Sequence, residues 1–149
     1  MASSLRSKLA RREEGQALVE LSLCASFLVL VLLAVWQVGT IFSNYVDLSE
    51  AARAGARAAA LSGAPTAAGD AASFTVAVNE GTYAAQQTVP NLQSTGQLTV
   101  SISSVTPWQA GARVRANISY PYSLSLFGVS VTSGTINVSD DMRVHRADS

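Results

Sequence analysis

The sequence predicts an α+β chain: a long N-terminal helix acting as membrane span and stalk, a second helix, and a small three-stranded antiparallel sheet packed on the long helix. Three observations carry this reading. Residues 21–42 (LSLCASFLVLVLLAVWQVGTIF) form an apolar run with no charged residue. Residues 45–61 continue without proline and are rich in alanine, the best helix former. After Gly96 the apolar residues recur with a period of two, the spacing of strands with one dry face.

The bulk properties narrow the function classes. The 149 residues suffice for one modest domain, and the 48% hydrophobic content is concentrated near the N-terminus. Ten basic residues balance ten acidic ones. No nucleic-acid partner is expected, because neutralising phosphates requires a basic surface. The single cysteine, Cys24, lies inside the apolar run and excludes an intrachain disulfide.

The N-terminal segment comes first. Residues 1–15 carry Arg6, Lys8, Arg11 and Arg12 against Glu13 and Glu14, a short leader with net positive charge. The run that follows has about the 20 residues a helix needs to cross a hydrocarbon core. A basic leader stays in the cytoplasm, so the chain beyond Phe42 faces outward. The expected division is a leader at 1–15, a transmembrane and stalk helix at 16–62, and an extracytoplasmic α+β head at 63–149. A secretory signal fits less well, since the run is too long and Gln37-Val38-Gly39 is a poor small-x-small cleavage site. Glu20 has two readings. In a simple anchor it sits at the cytoplasmic headgroup level; deeper in lipid, a carboxylate needs a partner.

Gly15-Gln16-Ala17-Leu18-Val19-Glu20 puts a small residue at the leader boundary and an acid five residues later, directly before the apolar helix. This resembles the prepilin peptidase motif of the type IV pilin superfamily. The resemblance implies cleavage between Gly15 and Gln16 on the cytoplasmic side, with the apolar segment retained. The new α-amino group at Gln16 and the carboxylate of Glu20 are each expensive alone in lipid. Paired between neighbouring subunits, they cancel and set helix register.

The longer stretch RREEGQALVELSL resembles the TadE-like minor pilins of the tight-adherence (Flp) pilus. The likeness continues at residues 49–60 (SEAARAGARAAA), at Tyr120-Pro121-Tyr122 and at Asp141-Met142-Arg143-Val144, whereas residues 63–96 carry little of it. Gln16 departs from the aromatic or methionine found after the cut in ordinary type IV pilins, which fits the Tad branch and leaves N-methylation of the new terminus open. The resemblance implies a structural subunit without cofactors, and a head larger than that of the major Flp pilins suggests a minor one. Implied partners are prepilin peptidase, other pilin subunits, the inner-membrane pilus assembly platform and, before assembly, membrane lipid. The implied location is the bacterial cytoplasmic membrane and then an extracellular pilus. The alternative is a single-pass membrane-anchored envelope binding module.

Beyond the membrane the helix should run to about Ser62, with Gly63 and Pro65 as stop signals. Counted from Gln16, that is about 70 Å at 1.5 Å per residue. Ala52, Gly55, Ala56 and Ala59 mark a small-residue packing face, used either under the chain's own sheet or against a neighbouring helix in a filament. Glu50, Arg53 and Arg57 read as a solvated face. Residues 69–89 read as a second helix ending before Pro90. Residues 74–78 (FTVAV) allow a short strand instead, and Gly81 is unfavourable inside a helix.

In the last third, Leu98, Val100 and Ile102 share one parity, as do Val114, Ala116, Ile118 and Tyr120. Ile136, Val138, Met142 and Val144 form a third set, with Asp140 as its polar exception. Residues 107–111 (PWQAG) should turn between the first two strands, and residues 121–134 should form a longer connection to the third. The alanine-rich half of the helix is available to cover the dry face.

Candidate chemistry is sparse. His145 is the sole histidine, so a Ser/His/acid or Cys/His site has only that residue to build on, and no catalytic residue is expected. No metal ligand set is expected either: calcium takes about six or more oxygens, and Asp140-Asp141 fits a turn or a solvated edge better. Trp108 and residues 121–130 are either a contact patch or core and loop.

Overall fold

The computed structural model describes residues 2–62, 65, 69–126 and 128–144, with side chains from residue 15 onward except that of Leu126. Gly63, expected to stop the long helix, and His145 lie outside the described residues.

The first element is helix α1 (Ala2–Ser62). Among the described residues it runs without a break from Ala2, through the expected leader as well as the apolar run, to Ser62. The reason is local: residues 2–15 contain no proline and several of the better helix formers, so nothing separates leader from span. The chain forms two compact units, Met1–Gly39 and Thr40–Ser149. The first is helical, and its large apolar side chains face outward all round; Phe27 is 70% exposed and Trp36 76%. A helix apolar on every side belongs in an apolar surrounding.

The second unit holds the remainder of α1 followed by α2 (Ala71–Thr88), α3 (Pro90–Gln93), β1 (Thr99–Ser104), β2 (Arg113–Leu126) and β3 (Val129–Arg143). Asp70 caps α2, its carboxylate accepting from the amides of Ala72 at 3.1 Å and Ser73 at 3.2 Å. Such a cap satisfies otherwise orphaned donors and places negative charge at the positive end of the helix. Residues 74–78 are therefore helical, not a strand. Pro90 occupies the first turn of α3, where its missing N–H has no intrahelical partner to lose.

Gly81, unfavourable on propensity, has a packing reason. A β-carbon there would stand 2.9 Å from the carbonyl oxygen of Gly55 and 2.9 Å from Cβ of Ala59. The two helices cross at a pair of glycines.

The sheet has the order β1-β2-β3 and is antiparallel throughout. Its register pairs Ile102 with Ala116, Val100 with Ile118, Ile118 with Val138, and Val114 with Met142. Residues 121–134 are not the expected connection. They extend one hairpin in which Pro121 pairs with Thr135, Tyr122 with Gly134 and Leu126 with Val129. Two local features permit this. β1 reaches only to Ser119, so Pro121 lies where β2 has one free edge and a missing N–H is tolerated. Gly128, at φ +80°, supplies the turn. Gly134 leaves room for the ring of Tyr122, which lies 2.9 Å from where a β-carbon would stand.

The sheet packs its dry face on the helices in two clusters. One joins Ala56, Ala59 and Ala60 of α1 to Ala77, Ile102, Trp108, Val114 and Ala116. The other joins Leu48, Ala51 and Ala52 to Ala85, Val89, Leu92, Ile118 and Ile136, with Ile41, Tyr120 and Tyr122 at its border. Trp108 is core, 6% exposed. Its indole N–H donates to Ser73 Oγ at 2.9 Å, and its ring meets Phe74 edge-on at 5.0 Å. Asp140 lies opposite Ala116 on the helix-facing side of the edge strand β3, half-buried, and accepts the amide of Asp141 at 3.1 Å.

Candidate processing and assembly segment

Gly15, Gln16 and Glu20 all lie in α1, and every residue from 15 to 33 is exposed. Nothing stands within 4 Å of the position a β-carbon on Gly15 would occupy. The peptide bond between Gly15 and Gln16 is helical. Glycine is the weakest helix former after proline, so local helix stability is lowest at this position. Gln16 and Glu20 are four residues apart and so share one helix face. Hydroxyls nearby are satisfied locally: Ser22 Oγ donates to the carbonyl of Val19 at 2.7 Å and Ser26 Oγ to that of Ser22 at 2.8 Å. These back-bonds remove two polar groups from competition in an apolar surrounding.

The small-residue face lies inside the second unit. Ala52, Gly55, Ala56 and Ala59 are buried, covered by α2 and the sheet. Glu50, Arg53 and Arg57 are exposed on the outward face. Of the two readings open for the small residues, packing under the chain's own sheet is the one this fold realises.

The sheet's outer face carries serine, threonine and asparagine. Thr99, Ser101, Asn117, Ser119, Asn137 and Ser139 line a shallow depression of about 330 Å³. Beside it Arg115 and Asp141 form a bidentate pair, Nε to Oδ1 at 2.6 Å and a terminal nitrogen to Oδ2 at 2.9 Å. The hydrogen bonds from Arg115 hold the Asp141 carboxyl below the usual range, with burial opposing and the charges of Arg115 and Arg113 assisting. The same partner pushes the Arg115 guanidinium up. Among the described residues no group of three or more His, Cys, Asp or Glu gathers to hold a metal.

Sequence reasoning missed the Asp70 cap and the Arg115–Asp141 pair. Asp70 follows Gly69 and precedes an alanine-rich run, a readable start signal. The ion pair had no local signal, because only the strand register brings the two residues together.

The architecture defines a class: one helix long and apolar enough to cross a membrane, joined to a small α+β unit. Residues 15–57 match the family model described as TadE-like protein, so this segment is similar to that family. No curated protein and no solved structure matches it.

Proposed function

We propose that the chain is a minor pilin or pseudopilin, a structural subunit for assembly of a Tad-type pilus, and not an enzyme. One observation carries the reading: Gly15-Gln16 and Glu20 stand at the mouth of an exposed apolar helix, within the segment that matches the TadE-like family. The precursor sits in the cytoplasmic membrane with its N-terminus inside and its head outside. Prepilin peptidase cuts after Gly15. The retained helix then leaves lipid for a bundle of other pilin subunits at the assembly platform, where burying its apolar surface against neighbours replaces contact with acyl chains. Glu20 meets the α-amino group of a neighbour's Gln16, which pairs two charges that are costly alone.

N-terminal sequencing of the protein from cells with active prepilin peptidase tests this. A mature chain starting at Gln16 is expected, and Gly15→Ala should leave the precursor uncut. A mature chain starting at Met1 or Ala2 sinks the proposal and favours a membrane-anchored binding module.

A further inference from the structure

We propose that Arg113 and Arg143, on the sheet's outer face where β2 begins and β3 finishes, form a binding site for a phosphate group. The site stands on strand register within the second unit; it goes beyond the proposed function and does not depend on it.

Register alone brings the two arginines together. Arg113 of β2 pairs with Arg143 of β3, and two residues further along β2, Arg115 pairs with Asp141. All four share the outer face, since the intervening Val114 is buried in the core and Met142 packs against it. The backbone bonds show how closely these pairs approach. The amide of Val144 donates to the carbonyl of Ala112 at 2.8 Å, which makes those two residues a hydrogen-bonded pair. Arg113 directs its carbonyl the other way, to the amide of Val105 at 2.8 Å. Arg113 and Arg143 are therefore a non-hydrogen-bonded pair, the kind in which opposed side chains stand closest, with Cα atoms about 4.5 Å apart.

Like charges directly opposite each other destabilise a sheet. At the neighbouring pair the same geometry is satisfied by opposite charges, with Asp141 giving both oxygens to Arg115 at 2.6 Å and 2.9 Å. Asp140 lies opposite Ala116, on the other face. Arg113 and Arg143 are both exposed, and among the described residues no carboxylate makes an ion pair with either. Three guanidinium groups against one carboxylate leave two positive charges uncompensated at this end of the face.

A phosphate monoester matches that excess. It carries about −1.5 to −2 charge at neutral pH and offers three acceptor oxygens. A lone carboxylate would neutralise only half as much. Each guanidinium presents its N–H donors in a planar fork that fits phosphate oxygens. Two forks rising from opposed positions can grip one phosphate between them, which turns their repulsion into shared attraction. Thr106 steadies the strand beneath, its Oγ1 accepting the amide of Arg113 at 3.2 Å. Past the ion pair, Asn117, Ser119, Asn137 and Ser139 continue the face with uncharged hydrogen-bonding groups, so no further carboxylate there repels an anionic ligand.

The test uses the full chain, carrying isotope-labelled arginine, in maltoside micelles, a detergent without phosphate. Inorganic phosphate is titrated at constant ionic strength made up with chloride, and the arginine Nε–H signals are followed. Those of Arg113 and Arg143 should shift together and saturate, while those of Arg53 and Arg57, exposed on α1, should not. Arg143→Gln and Arg113→Gln should each weaken binding about tenfold to a hundredfold, the scale of a charge-assisted hydrogen bond. A second titration, with short-chain phosphatidic acid, distinguishes the source. Saturation by inorganic phosphate assigns the site to a free phosphate or soluble monoester; saturation by the lipid alone assigns it to a headgroup. Shifts that fail to saturate with either probe, or saturation that both substitutions leave unchanged, overturn the inference and leave the proposed function standing.

Discussion

The carbonyl oxygen of Gly81 lies 3.0 Å from where a β-carbon on Gly55 would stand, and the reciprocal approach is 2.9 Å. Two backbones meet here with no side chain between them. Cβ of Ala85 is equally near the Gly55 position, and Ala59 and Ile102 crowd that of Gly81. This contact sets how closely α2 lies on α1, and therefore where both helices meet the sheet.

Gly81→Ala is predicted to destabilise the second unit despite improving helix propensity. Alanine contributes about 1 kcal/mol over glycine in a helix, whereas overpacking a close contact costs about 1–3 kcal/mol. The net loss should appear as faster hydrogen exchange in α2 of the full chain in detergent. Exchange slower than wild type would show that the helices part without penalty.

Trp108 ties the β1–β2 turn to the start of α2 through three contacts. Its indole N–H reaches Ser73, its ring meets Phe74, and its carbonyl accepts the amide of Gly69 at 2.8 Å. Trp108→Ala is predicted to cost about 3–5 kcal/mol, the range for deleting a large buried aromatic. Of the two tryptophans, only Trp108 is buried. Denaturant titration followed by fluorescence of a Trp36→Phe background should show blue-shifted emission lost in one transition. Water-exposed emission before denaturant would contradict the buried placement.

Acid should weaken the second unit partly through Asp141. Its folded pKa lies below the ordinary value because Arg115 donates to the charged form. A depressed carboxyl contributes stability that is fully present above the unfolded pKa of about 3.9 and is lost as pH falls through the folded value. Asp141→Asn should therefore lower the midpoint at neutral pH, with the difference from wild type shrinking below about pH 4. The effect is modest, since both side chains are partly open to solvent. Thermal melts across that range check it; a difference that stays constant into acid would exclude the pair as the cause.

Glu20→Ala is predicted to leave cleavage after Gly15 intact and to abolish incorporation into filaments. The motivation is an exposed carboxylate four residues from Gln16 at the start of an apolar helix. Removing one partner of a buried ion pair costs about 3–5 kcal/mol per contact, a factor of hundreds or more in subunit affinity. Immunoblots of sheared filaments against membrane fractions measure it, and wild-type incorporation of the variant would rule out the pairing.

Much of the architecture was legible because it is encoded locally. The apolar run, the alanine-rich continuation and the period-two pattern of Val114, Ala116, Ile118 and Tyr120 each reside in neighbouring residues. So does the Gly15–Glu20 spacing, which needs no tertiary structure to recognise. Even the start of α2 was written locally, in Asp70 before an alanine-rich run.

Contacts between distant segments were not legible in this way. Gly81 looked like a flaw in a helix until Gly55 was placed against it. Residues 121–134 looked like a loop because Pro121, Gly128 and Gly134 are turn formers; pairing with β3 and the early end of β1 made them a hairpin. Arg115 and Asp141 are 26 positions apart, and Trp108 and Ser73 are 35 apart. Periodicity states which face of an element is dry, but not which partner covers it or in what register. Those depend on close approach and hydrogen-bond pairing between distant segments, and they placed the small-residue face of α1 under α2 and the sheet.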